Sequence, residues 1–76
     1  MDVRYTLSMN EIIFLVNESA EGGYEAKALS ESIYTEADTP EELKVMVRDA
    51  VACHFEDHER PKVIRLHYVY EEVIAA

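Results

Sequence analysis

Thr39-Pro40-Glu41-Glu42 fixes the start of an amphipathic helix, and the rest of the chain has to fold around it. Thr39 is placed to cap, Pro40 takes the first helical position where its missing N–H costs nothing, and Glu42 can reach back to an orphan amide. Asp38, Glu41 and Glu42 also complement the positive end of the helix dipole. Leu43, Met46, Val47, Ala50, Val51 and Phe55 then recur at spacings of three and four, giving one apolar stripe. Glu59-Arg60-Pro61 reads as the stop, because Pro61 cannot continue a helix.

Strand patterns flank this helix. Ile12-Ile13-Phe14-Leu15-Val16 is β-branched and aromatic, apolar at every position and bounded by Asn10 and Asn17, as in a central strand covered on both faces. Gly22-Gly23 can supply the positive φ of a hairpin loop. From Tyr24 to Leu29, Tyr24, Ala26 and Ala28 face one way and Glu25 and Lys27 the other. The small Ala26 and Ala28 let a helix lie close on that face. After Ser30-Glu31-Ser32, the run Ile33-Tyr34-Thr35-Glu36 makes a short third strand. Lys62 to Ile74 returns to strand character, with Ile64, Leu66, Tyr68 and Tyr70 alternating with Val63, Arg65, His67 and Val69. The order β-β-β-α-β predicts an α+β fold in one domain over residues 1–76. Its first three strands form an antiparallel meander. The last strand follows a right-handed helical crossover and lies parallel to a neighbour. Val3, Tyr5 and Leu7, within residues 1–9, either extend the first strand or fray.

Charge narrows the partners. Sixteen acids against seven Lys and Arg give a formal charge of −9, which argues against direct nucleic-acid binding and against an anionic membrane surface. The natural complement is a basic protein, since opposite potentials steer encounter. Cys53 is the single cysteine, so no intramolecular disulfide can form and the chain reads as intracellular. Met1-Asp2-Val3-Arg4-Tyr5 shows no basic stretch leading into an apolar one. Ile12–Val16, the longest apolar run, is far short of the ~20 residues of a membrane span. The expected compartment is the cytoplasm.

Glu21-Gly22-Gly23-Tyr24-Glu25-Ala26, then Thr35, then Asp38-Thr39 with Glu41-Glu42-Leu43, resembles the HicB antitoxin family. That family carries a Gly-Gly-Tyr-x-Ala hairpin and a Thr-x-Gly-Asp-Thr-x-Glu-Glu helix start. The resemblance covers residues 10 to 55 closely and the last strand in outline. It implies a truncated ribonuclease H-like fold with sheet order 3-2-1-4 and one helix on one face. It also implies a partner, a HicA-type toxin, which is a small basic ribonuclease. The chain departs from the family at Ala28-Leu29-Ser30-Glu31-Ser32, where members have Pro-x-Leu-Pro-Gly, and at Ala37, where they have glycine. The C-terminal DNA-binding extension of many members is not expected here, as the sequence stops at Ala76. Glu31-Ser32-Ile33, Thr35-Glu36-Ala37-Asp38-Thr39 and Ile64-Arg65-Leu66-His67 are similar to a stand-alone subgroup that sometimes bears a 2-oxoisovalerate dehydrogenase label. No diphosphate-binding loop supports that label, and no cofactor is expected.

Ribonuclease H-like nucleases need a carboxylate projecting from the central strand to hold metal, and Ile12–Val16 contains none. No catalytic residue is therefore assigned. His54 and His58 lie one helical turn apart, but Cys53 and His54 point about 100° apart on a helix and no fourth ligand follows, so no metal site is assigned. Cys53 reads instead as semi-buried packing, and His58 as a cation favoured near the helix C-terminus. Eight acids stand between Glu18 and Glu42 against Lys27 alone. Glu25, Glu31, Tyr34 and Glu36 are the expected partner-contact residues, on and between the second and third strands. One helix covers one face of a four-stranded sheet, yet the first strand is apolar on both. Ile13, Leu15, Tyr68 and Tyr70 are accordingly the expected self-association residues of a dimer or larger homo-oligomer. The two functions in view are masking of a basic toxin and a self-associating adaptor without one. A small enzyme subunit, with a site shared across an oligomer interface, is the remaining alternative.

Overall fold

The structure is a computed structural model and describes residues 10–76. Val3, Tyr5 and Leu7 fall outside them. Strands β1 (Glu11–Glu18), β2 (Tyr24–Ala28) and β3 (Tyr34–Ala37) precede helix α1 (Pro40–His54), a short 3-10 turn (Asp57–Glu59) and strand β4 (Val63–Tyr68). The four strands form one sheet ordered β3-β2-β1-β4. β1 pairs antiparallel with β2 and parallel with β4, and β2 pairs antiparallel with β3. The fold class is α+β, with the helix on one face.

The β1–β2 hairpin closes through glycine. Gly22 and Gly23 have φ of 95° and 86°, a region open to glycine at no steric cost. The Ser19 amide donates to the Gly23 carbonyl at 2.9 Å, and the Gly22 amide to the Ser19 carbonyl at 3.0 Å. Gly23 is doubly constrained, because a Cβ there would stand 2.9 Å from the Ala37 carbonyl oxygen on β3.

Alternation along β1 decides where the core sits. Ile12, Phe14 and Val16 point to the helix side and are buried, as are Ala26 and Ala28 on β2. Leu43, Val47 and Val51 descend onto them from α1, and Ile33 closes the edge. The helix starts as its cap demands. The Glu42 amide donates to Thr39 Oγ1 at 3.1 Å, and the Asp38 amide to Glu42 Oε1 at 3.4 Å.

The helix ends earlier than Pro61 suggested. It stops at His54, where the Phe55 amide donates to the Val51 carbonyl at 3.1 Å and Phe55 turns into extended backbone. The reason is the distance to the next strand. Lys62 and Val63 both donate to the Asn10 carbonyl, at 2.9 and 3.1 Å, so the chain must come down beside the start of β1. Six more helical residues would carry it about 9 Å beyond His54 along the helix axis. His58 therefore sits in the 3-10 turn, and His54 is the residue in the last helical turn. Cys53 is exposed rather than semi-buried.

β4 is also shorter than its alternation suggested. Tyr68 pairs with Val16, and the Val69 amide makes one more bond to the Val16 carbonyl at 2.8 Å. β1 runs on to Glu18 paired with β2 alone, and residues 69–74 are not strand. Tyr68 and Tyr70 are 51% and 83% exposed.

Candidate partner-binding surface

The pleat that buries Phe14 sends Ile13 and Leu15 to the opposite face, where both are half-buried. Among the described residues no element is layered over that face. Register places its side chains. Leu15 stands opposite Lys27, Asn17 opposite Glu25, Ile13 opposite Arg65, and Leu15 opposite His67. On the other side of β2, Lys27 is opposite Tyr34 and Glu25 opposite Glu36. The open face thus runs from an acidic, aromatic flank on β2–β3, across Ile13 and Leu15, to Arg65 and His67 on β4.

Three of the four expected partner-contact residues meet on that flank. The Tyr34 hydroxyl reaches Glu25 Oε2 and Glu36 Oε2, each at 3.3 Å. A phenol has one proton to donate, so it serves one carboxylate at a time and stands between two like charges. Tyr34 titrates above its ordinary value of 10.0. Lost hydration against the sheet raises it, and the charges and hydrogen bonds of Glu25 and Glu36 raise it further. Since Tyr34 is 57% exposed, water remains to solvate its phenolate, and the flanking carboxylates are the cause that distinguishes this tyrosine.

Glu31 lies apart from the three. Its Oε1 is 3.1 Å from His54 Nε2, which ties the β2–β3 turn to the end of the helix. Of the expected self-association residues, Ile13 and Leu15 lie on the open face. Tyr68, in register with Val16, belongs to the helix side, and Tyr70 follows the end of β4. The four do not form one patch within a single copy.

The pairing of Arg65 with Glu11 was not legible in the sequence. Arg65 Nε donates to Glu11 Oε2 at 2.9 Å, across a parallel ladder between residues far apart in the chain. Only the register, which puts Glu11 beside Val63, brings them together. This pair gives one β1 acid a partner on β4. The strand is longer than its apolar run and begins and ends on glutamates, but Glu11 and Glu18 are separated by seven residues, roughly 23 Å of strand. They cannot share a metal ion. Glu56, His58 and Glu59 have ligand atoms within 4.8 Å of one another, all on exposed side chains of the 3-10 turn. That grouping differs from Cys53, His54 and His58, and its exposure is that of solvated surface charge. Among the described residues no helix is long and apolar enough to cross a membrane.

Fold and surface define a class, a small α+β domain whose helix covers one sheet face and whose other face presents an acidic, tyrosine-centred flank. The chain belongs to the UPF0150 family. It is 60% identical over 52 residues to a UPF0150 protein of Archaeoglobus fulgidus, spanning 68% of this chain and 77% of that protein. It is 44% identical over 68 residues to a UPF0150 protein of Thermotoga maritima, spanning 90% of this chain and 96% of that protein. No family model matches the chain, and no solved structure matches it.

Proposed function

We propose that the chain is a cytoplasmic, non-catalytic protein-binding module of the HicB antitoxin type, which masks a small basic ribonuclease of the HicA type. The observation that carries this reading is the convergence of Glu25, Tyr34 and Glu36 on an unlayered sheet face. Two carboxylates flanking a phenol present acceptors for Arg and Lys around a rigid aromatic contact, and tyrosine is among the residues that dominate interface energetics. The net charge of −9 steers a basic partner towards the chain and repels nucleic acid. Mechanism is occlusion. The acidic flank covers the cationic surface that the ribonuclease uses for RNA, and Ile13 and Leu15 exclude water beside it.

The test is isothermal titration of the purified chain against a small basic HicA-type ribonuclease, together with an RNA-cleavage assay. Binding that weakens with added salt and suppresses cleavage is expected. Substituting Glu25→Lys and Glu36→Lys together abolishes both effects, whereas Glu59→Lys, in the 3-10 turn near the start of β1, leaves them in place. Absence of binding by the unaltered chain, or equal binding by the double variant, overturns the reading.

A further inference from the structure

A groove runs along the helix side of the sheet between α1 and β4. The helix approaches β2 and β3 closely and leaves β4 standing away, so Ile64 and Leu66 are only half-buried although they point to the core side. Ile64, Leu66 and Val47 form the floor. The groove offers 530 Å³ at its Pro61 end and 210 Å³ at its Lys44 end, room for the side chains of a single extended segment.

Its rim reverses the character of the molecule. Lys44, Arg48, Arg60 and Lys62 line it, four of the seven basic residues in a chain of net charge −9. Asp49 is the acid beside them, and Arg60 is held by Asp57 at 2.8 Å. An apolar floor with a basic rim fits an extended segment that is apolar and acidic.

The chain carries such a segment. Beyond Tyr68, residues 69–76 form neither helix nor strand. Val69, Tyr70, Val73 and Ile74 are 48%, 83%, 85% and 82% exposed, with Glu71 and Glu72 between them. Large apolar side chains left in water, on a segment that beyond the Val69 amide pairs with no strand among the described residues, mark an interaction surface. Eight extended residues reach ~26 Å, and a fifteen-residue helix is ~22 Å long, so segment and groove match in length. The segment leaves the sheet beside Asn17 and Glu18, past the Lys44 end of its own groove and running away from it.

We infer that residues 69–76 of one copy dock in the α1–β4 groove of a second copy, with Val73 and Ile74 on Ile64 and Leu66, and Glu71 and Glu72 against Lys44 and Arg48. This self-assembly is independent of the acidic sheet face. Reciprocal exchange of the segment closes a twofold dimer, and one-way exchange builds a chain of copies.

Charge reversal tests it by analytical ultracentrifugation at micromolar concentration. The unaltered chain sediments above its monomer mass of 8.7 kDa, and added salt shifts it towards the monomer. K44E/R48E changes the groove and E71K/E72K the segment, all at exposed positions, and circular dichroism verifies that each variant stays folded. Each variant alone is monomeric, and their equimolar mixture associates, because each groove then meets a segment of opposite charge. A monomeric unaltered chain overturns the inference, which is also the outcome if the segment folds back into its own groove or serves a different protein. Association that persists in both variants, or a mixture that stays monomeric, overturns it equally.

Discussion

Two adjacent glycines of one loop carry different burdens. At Gly22 the added Cβ meets nothing within 4 Å, and the cost of alanine is backbone strain alone. At Gly23 the same methyl runs into the Ala37 carbonyl as well, and that oxygen belongs to a strand that cannot retreat without disturbing β3. Gly22→Ala should cost about 1 kcal/mol and Gly23→Ala about 2–3 kcal/mol or more, read as a shift in urea midpoint at unchanged slope. Equal losses would remove the β3 contact from the account. Tyr34 gives a second residue-scale test. Its neutral form is favoured in the folded chain, so its contribution is complete below the ordinary tyrosine value and is lost as pH rises through the folded value. Glu25→Gln or Glu36→Gln should each move its ultraviolet titration midpoint down towards 10.0, with Tyr34→Phe as the subtraction control. A midpoint unmoved by both would mean that the carboxylates do not act on it.

At the scale of elements, starts were legible and stops were not. The helix start is local chemistry, since Thr39, Pro40 and Glu42 need only each other, and the structure places them as the sequence predicts. Its end is set by the position of Asn10, more than forty residues earlier, and no local pattern encodes that. The same division holds for β4, whose first residues alternate as a strand should and whose ladder on β1 stops at Tyr68 although the alternation runs on. On the candidate surface, Glu25, Tyr34 and Glu36 were legible because they sit on paired strands of obvious alternation. Glu31 was drawn away by His54, a contact across the fold. Energetics follow the same lines. Thr39→Ala should cost about 1 kcal/mol by removing one cap bond, whereas Leu43→Ala, at a side chain with no exposure, should cost about 2–5 kcal/mol. For a domain of this size each kcal/mol lowers the melting temperature by about 4–8 °C. A Leu43→Ala variant melting at the temperature of Thr39→Ala would show that the helix is not the lid of the core.

For the molecule as a whole, the charge is not spread evenly. The open sheet face carries the acids that meet at Tyr34, and the groove on the other side gathers four of the bases, so the two proposed associations use different surfaces. The parallel pairing of β4 has its own consequence, in time rather than in space. β1, β2, β3 and α1 follow one another through short connections and can assemble from near neighbours, while β4 must await a finished helix before its ladder on β1 can close. Non-local pairing of this kind bears its loop-closure entropy before any contact rewards it. With the helix standing away from it, β4 then has only one side and one neighbour to hold it. Its amides should be the first of the four strands to exchange with deuterium under native conditions, at an opening free energy below that of the whole domain, while those of Phe14 and Val16 exchange only on global unfolding. Fast exchange confined to β4 would make it a detachable edge, and the groove beside it would come and go with that motion.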